Sequence, residues 1–203
     1  MVFFGQTTPQ KCERSTISKP LGINPNPYVE STYLKKNGKK RPLSIPTMND
    51  RAMQTRFALA LEPWAETTAD PNSYGFRRKR CCADAVAQCF LSLCRKNSAQ
   101  WVFEADIKAC FDEINHQWMV QNIPINKSIL KKWLKAGFVE NKTWNPTRKG
   151  TPQGGTISPI LMNMVLDGLE KAIRQKFPKW KGQKVNFIRY ADDFVITANH
   201  KET

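Results

Sequence analysis

The chain has 203 residues, enough for one domain with a real core or for one domain built from two lobes, and it does not need disulfides to fold. Lysine and arginine number 32 against 17 acids, and the formal net charge of +15 suits a protein that neutralises phosphates, with nucleic acid as the leading partner and an acidic membrane surface behind it. No apolar run approaches the ~20 residues of a membrane helix, and MVFFGQTTPQK lacks the basic start and long apolar stretch of a signal peptide, so the expectation is a soluble, cytoplasmic protein.

Residues 1 to 30 are rich in Pro, Asn, Ser and Thr without periodicity and read as an extended arm. YVESTYLKK and NGKKRPLSI follow as two strands joined at Asn37-Gly38, the strongest short hairpin signal, and the hairpin is basic. Asp50 is placed to cap a helix over 51 to 62, where Met53, Phe57, Ala60 and Leu61 recur at helical spacing until Pro63 interrupts them. SYGFRRKR is a turn and a basic cluster together. Next, RCCADAVAQCFLSLCRK reads as a helix over 82 to 95. It carries Cys81, Cys82, Cys89 and Cys94 with none of the CxxC pairs of zinc sites. These are read as buried or half-buried free thiols, a metal or redox role being the alternative. His116 and His200 are too scattered for a metal cluster.

WVFEADI is a short strand ending at Asp106, and 115 to 137 is helical with a break at Ile123-Pro124. RKGTPQGGTISP is a Gly-Pro loop leading into one helix, PILMNMVLDGLEKAIRQKF. VNFIRYA and DFVIT close the pattern as two strands turning at paired aspartates. This order predicts a small antiparallel sheet backed by helices, an α+β fold rather than a doubly wound parallel sheet. Such a sheet can bring the end of FEADI beside the turn of 187 to 197, so that Asp106, Asp192 and Asp193 converge.

Two adjacent acids in FIRYADDFVIT repel each other and are costly to desolvate. Converging carboxylates without a cation raise one another's pKa and weaken the fold at neutral pH. A divalent ion removes the problem: Mg²⁺ takes hard oxygen ligands, and paired ions ~3.5–4 Å apart clamp an in-line phosphoryl displacement. On the hairpin alone, a solvent-exposed turn that happens to contain Asp-Asp stands as the alternative.

YADD flanked by strand formers, with DIKACFDEINH upstream, resembles the motif pair of reverse transcriptases, and specifically the group II intron reverse transcriptase or maturase family. KKNGKKRPLSIPTMNDRAMQ, LEPWAE, SYGFR and GTPQGGTISPILMN extend the resemblance in order over roughly residues 28 to 197. It implies a right-hand polymerase fold of fingers and palm. Residues 1–80 would be fingers with an N-terminal arm, 81–117 the first part of the palm, 118–157 the second part of the fingers and 158–203 the rest of the palm. Because the sequence stops soon after YADD, the thumb is expected to be absent and duplex grip to be poor.

The resemblance also implies site residues. Asp106 and Asp192 match the family's metal-binding aspartates, with Asp193 the third acid and the Ile107 carbonyl an extra oxygen ligand. Their chemistry would be nucleotidyl transfer with two Mg²⁺ ions, Mn²⁺ being able to stand in: one ion activates a primer 3′-hydroxyl and the other neutralises the triphosphate. Phe111 matches the aromatic that rejects a ribose 2′-hydroxyl, with a core phenylalanine as the alternative. Gln153 would line the nucleotide pocket, beside Gly154 and Gly155. Lys35 and Arg41, on the two arms of the basic hairpin, match contacts to the incoming dNTP. Arg77, Arg78 and Arg80 would touch template phosphates, a surface cluster without a single partner being equally open.

One departure is local: where the family has Pro-Gly after SYGFR, this chain has Arg78-Lys79. The reading is an RNA-directed DNA polymerase of group II intron type, with RNA template, DNA primer, dNTPs and the parent intron RNA as partners. The alternatives are an RNA-binding splicing cofactor without independent polymerase activity, and a retron or CRISPR-associated relative.

Overall fold

The computed structural model describes residues 24–34 and 40–201. Two strands open the chain, β1 (Tyr28–Leu34) and β2 (Lys40–Ile45), paired antiparallel with Val29 opposite Ile45 and Leu34 opposite Lys40. The expected Asn37-Gly38 turn lies outside the described residues. Helix α1 (Met48–Thr68) follows. Its N-cap is Thr47, not Asp50: the Thr47 hydroxyl accepts from the Asp50 amide at 3.3 Å and donates to the Asp50 carboxylate at 2.6 Å. Pro63 does not end the helix as expected. It forfeits one backbone hydrogen bond, at a cost of about 3 kcal/mol in an exposed helix, and burial of Ala58 and Leu61 with packing of Phe57 and Ala65 offsets that loss.

The β1–β2 sheet is larger than the sequence signals. β4 (Phe138–Glu140) lies parallel to β1 with Tyr28 opposite Phe138, and β5 (Thr143–Asn145) returns antiparallel, giving the order β2-β1-β4-β5. Three-residue strands are too short to show a period. Their turn is Asn141-Lys142, both at positive φ, where Asn-Gly would have been legible.

The second sheet is the one expected: β3 (Trp101–Asp106), β6 (Asn186–Tyr190) and β7 (Asp193–Ala198), antiparallel in the order β3-β7-β6. Helix α2 (Cys82–Leu93) packs against β6. It buries Ala85 but turns Cys81, Cys82 and Cys94 outward and leaves Cys89 half-buried, so three of the four thiols are exposed, contrary to expectation. α3 (Cys110–Glu113), α4 (His116–Asn122) and α5 (Lys127–Leu134) fill the middle of the chain, with the break at Ile123-Pro124 where the sequence places it. Asn115 and Asn126 cap α4 and α5.

PILMNMVLDGLEKAIRQKF is two helices rather than one: α6 (Ser158–Leu166) and α7 (Leu169–Lys176), separated at Gly168 with φ +102°. The cause is distant in sequence. The buried carboxylate of Asp70 accepts from the amides of Gly168 at 3.0 Å and Glu170 at 3.1 Å, capping a second helix start that local periodicity cannot show. The core lies where α1, α3, α4, α5 and α6 meet, around Met119, Leu130 and Met162, with Phe57 edge-on to Trp133 at 5.3 Å. Among the described residues no helix is long and apolar enough to cross a membrane.

Candidate active site

Asp106 is the last residue of β3 and lies directly opposite Asp193, the first residue of β7. Opposed residues of an antiparallel pair project to one face, so register alone sets these two carboxylates side by side at one end of the sheet. Asp192 occupies the two-residue turn between β6 and β7, and its carbonyl accepts from the Ile107 amide at 3.1 Å. That bond ties the chain just beyond β3 to the turn. Asp106 and Asp193 are exposed and Asp192 is half-buried.

Burial, and then the charges of Asp192, Asp106 and Glu104, raise the Asp193 carboxyl above its ordinary value. Among the described residues no ion pair reaches any of the three acids. They share one end of the sheet but do not close on a common point: among the described residues no three His, Cys, Asp or Glu side chains form a group that could hold a metal ion. As a donor set they nonetheless suit a hard cation, being oxygen ligands whose mutual repulsion is met by no ion pair among the described residues.

The turn is held from beneath by a residue the motif reading left out. Arg189 is fully buried. Its guanidinium donates to the Ala191 carbonyl at 3.1 Å, to the Asn163 side-chain oxygen at 3.0 Å and to the Asp167 carboxylate at 2.7 Å. Burial pushes the Asp167 carboxyl up while Arg189 pulls it down. Asn163 in turn donates to the Gly75 carbonyl at 2.8 Å. Ala191 has φ +59°, a conformation glycine would take more readily, and a side chain at Gly75 would collide with its backbone. The SYGFR segment thus lies along β6, with Tyr74 N donating to Arg189 O at 2.9 Å and Arg189 N to Asn72 O at 2.9 Å. An arginine set between Phe187-Ile188 and Tyr190-Ala191 was the available signal, since a buried cation demands partners.

The other expected residues surround the start of α3. Phe111 is 8% exposed, edge-on to Phe76 at 6.3 Å, and part of the main core. Its carbonyl accepts from the Thr151 amide at 2.7 Å, and Gln153 donates to the Asp112 carboxylate at 2.9 Å. The Gln153 carbonyl accepts from Ser44 N at 2.8 Å, joining the loop to β2. Gly154 sits at φ +131°, and a Cβ there would meet Ser44 O at 2.7 Å. The GTPQGG loop is therefore sewn between α3 and β2, beside a cavity of about 190 Å³ lined by Glu30, Asp112, Lys149 and Gln153 among others. Arg41 lies in β2 opposite Tyr33. Lys35 lies outside the described residues.

The three arginines differ sharply. Arg77 has a side chain only 6% exposed, pairs with Glu66 through Nε at 2.8 Å and Nη2 at 2.5 Å, and donates to the Asp70 and Ser73 carbonyls. Four of its five N–H donors are spent inside the fold, which leaves little for a template phosphate. Arg78 is exposed and paired with Glu62 at 2.7 Å. Arg80 donates to the Pro71 and Ser73 carbonyls and lies over the Tyr74 ring at 5.6 Å.

A three-stranded antiparallel sheet carrying acids at its hairpin end, backed by helices, is the frame on which the chain's relationships can be placed. Residues 33–203 match the family model for reverse transcriptase (RNA-dependent DNA polymerase), and the chain belongs to that family. It is 37% identical over 158 residues to the group II intron-encoded protein LtrA of Lactococcus lactis subsp. cremoris, a match covering 74% of this chain and 26% of that protein. It is 31% identical over 196 residues to protein YkfC of Escherichia coli strain K12, covering 80% and 51% respectively. The chain thus spans between about a quarter and half the length of these relatives. A solved telomerase from Candida tropicalis, 13% identical, superposes with a TM-score of 0.53 over 87% of this chain and 44% of that one, a likeness of fold alone.

Proposed function

We propose that this chain carries the fingers and palm of an RNA-directed DNA polymerase of group II intron type, extending a primer 3′-hydroxyl with dNTPs on an RNA template. The observation that supports it most is the register that opposes Asp106 and Asp193 at the sheet end, with Asp192 in the adjoining turn. Asp106, Asp192 and Asp193, with the Ile107 carbonyl, would hold two Mg²⁺ ions. The ions would supply charge neutralisation and hydroxyl activation for an in-line displacement. The protein's own part is positional: β3 and β7 hold Asp106 and Asp193 on one face, and Arg189 fixes the turn that carries Asp192.

Residues 1–80 and 118–157 would form the fingers, and 81–117 with 158–203 the palm. Gln153, anchored on Asp112, and Phe111 in α3 would border the incoming sugar, with the buried ring fixing the floor against which a 2′-hydroxyl is excluded. Lys35 and Arg41 would approach the triphosphate from the basic hairpin. Arg78 and Arg80 are the arginines still open to template contact. The intron setting, with the parent intron RNA as partner, draws on the likeness to a group II intron-encoded protein.

The test is single-dNTP incorporation on a primer annealed to RNA with Mg²⁺, comparing the parent with Asp192→Asn. Weak incorporation is expected in the parent and none above background in the variant, with RNA affinity unchanged. Equal loss of RNA binding would make Asp192 a structural residue and undo the assignment.

A further inference from the structure

At the end of the β3-β7-β6 sheet remote from the acids, aromatic rings and lysines alternate. Helix α7 leads through Phe177 and Pro178 into a 3-10 turn at Lys179–Lys181, where Trp180 is 82% exposed, more than any other large hydrophobic side chain described. From 171 to 184 the sequence carries Lys171, Arg174, Lys176, Lys179, Lys181 and Lys184 and no acid. Arg174 is committed to Glu170 and the Val185 carbonyl, and Lys184 to Asn97. No ion pair reaches the other four among the described residues.

Three rings at this end lie under ammonium groups: Phe177 under Lys176 at 5.4 Å, Trp180 under Lys181 at 5.4 Å, and Trp101 under Lys201 at 5.9 Å. A largely apolar recess of about 470 Å³ opens between Trp101, Phe103, Phe177 and Lys201. Trp101 pairs with Ala198 at one end of β3 and Asp106 with Asp193 at the other. The two ends stand about 16 Å apart at ~3.3 Å per residue.

Flat rings interleaved with cations match one polymer. Single-stranded nucleic acid offers base faces that stack on aromatic side chains and phosphates that pair with lysines. A duplex hides its base faces, so it would use the lysines and leave the indole wet. An acidic peptide would do the same. A bilayer would also accept Trp180 and the lysines, and the vesicle measurement below separates it from RNA. We infer that this end of the sheet is a second binding site, for single-stranded RNA, separate from the acid end: a base stacks on Trp180, another enters the recess beside Trp101, and Lys176, Lys179 and Lys181 take the phosphates. The choice of RNA over DNA rests on the RNA-directed reading above.

The test measures binding of a labelled single-stranded RNA to the whole chain, with the acid end filled by excess unlabelled primer annealed to template. Trp180→Ala is expected to weaken binding about tenfold and Trp180→Phe to restore most of it. The double change Lys179→Gln with Lys181→Gln should flatten the slope of log affinity against log salt by about 1.4, at ~0.7 per phosphate contact. Trp180 is exposed, so circular dichroism should be unchanged. Single-dNTP incorporation should be unchanged too, whereas Asp192→Asn shows the converse pattern. Parent-like RNA affinity in Trp180→Ala overturns the site. So does duplex RNA that binds as tightly and depends equally on Trp180, or phosphatidylserine vesicles that lose the Trp180→Ala variant while RNA does not. Failure of incorporation in the parent with these RNA effects intact would sink the polymerase reading and leave the second site standing.

Discussion

The two sheets of this protein are anchored by opposite chemistries. Under the β3-β7-β6 sheet lies a buried ion pair, Arg189 with Asp167, that grips the acid-bearing turn through the Ala191 carbonyl. Beside the β2-β1-β4-β5 sheet lies a neutral amide, Gln54, fully buried in α1, whose Nε2 donates to the Tyr28 hydroxyl at 3.1 Å and whose Oε1 accepts from Thr156 N at 2.9 Å. The difference shows where a cation can sit without spoiling an acidic site. Arg189 lies beneath the turn and spends its charge on Asp167, so it stiffens Asp192 and Asp193 without neutralising them. A charged anchor is strong but unforgiving; a neutral one is weaker and safer.

Breaking the ion pair is the severest way to test that contrast. Arg189→Met leaves Asp167 buried without its counter-ion, and urea unfolding should show a loss of about 3–5 kcal/mol. Adding Asp167→Leu to Arg189→Met should recover much of it, because the stranded charge has gone. Recovered stability without recovered incorporation would separate gripping the turn from merely filling the core. A single change that costs under about 1 kcal/mol would show that the pair is not the anchor.

Gln54→Ala should cost less, about 2 kcal/mol, by stranding the Tyr28 hydroxyl and the Thr156 amide. Burial already raises the Tyr28 phenol, so it stays protonated and cannot relieve the loss by ionising at neutral pH. The same urea measurement checks it. A loss as large as that of Arg189→Met would erase the distinction between charged and neutral anchors.

What the sequence showed and hid divides along similar lines. The acid sheet was legible because its strands are long enough to show a period and its register follows from one short turn. The strand pattern alone places Asp106 and Asp193 together, since Asp106 ends one strand and Asp193 begins another. What stayed hidden was carried by partners far apart in the chain. Asp70 splits α6 from α7 across 98 residues, and Arg77, exposed by any reading of RRKR, is drawn inward by Glu66. Pro63 misled for the opposite reason, because core packing overrode a strong local signal. Gln54 closes the segment KKNGKKRPLSIPTMNDRAMQ, but its role depends on Thr156, 102 positions away.

A smaller effect tests whether the acids are left uncompensated for an ion. If they are, Mg²⁺ at ten times its dissociation constant should stabilise the parent by about 1.4 kcal/mol through mass action. Asp192→Asn should respond little, and chelation should reverse the parent's gain. Equal stabilisation of both, followed by thermal unfolding, would place the ion elsewhere.

The smallest effect concerns how the GTPQGG loop is tied to the helices on the neutral side. His116 heads α4 and donates to the Gly150 carbonyl at 2.6 Å. Burial lowers its pKa below the ordinary value, and nearby Lys135 adds to that, while the bond to Gly150 acts the other way. The folded protein therefore binds the His116 proton less tightly than the unfolded chain does. By linkage, its contribution is fully present above the unfolded value of about 6.5 and is lost as pH falls through the lower folded value. His116→Gln keeps a donor for Gly150 and removes the titration, so its stability should run flatter than the parent's between pH 7 and 5, by well under about 1 kcal/mol for a half-buried group. A parent curve that instead rises on acidification across that window would mean the imidazolium is the favoured form, and that the Gly150 contact, not burial, governs His116.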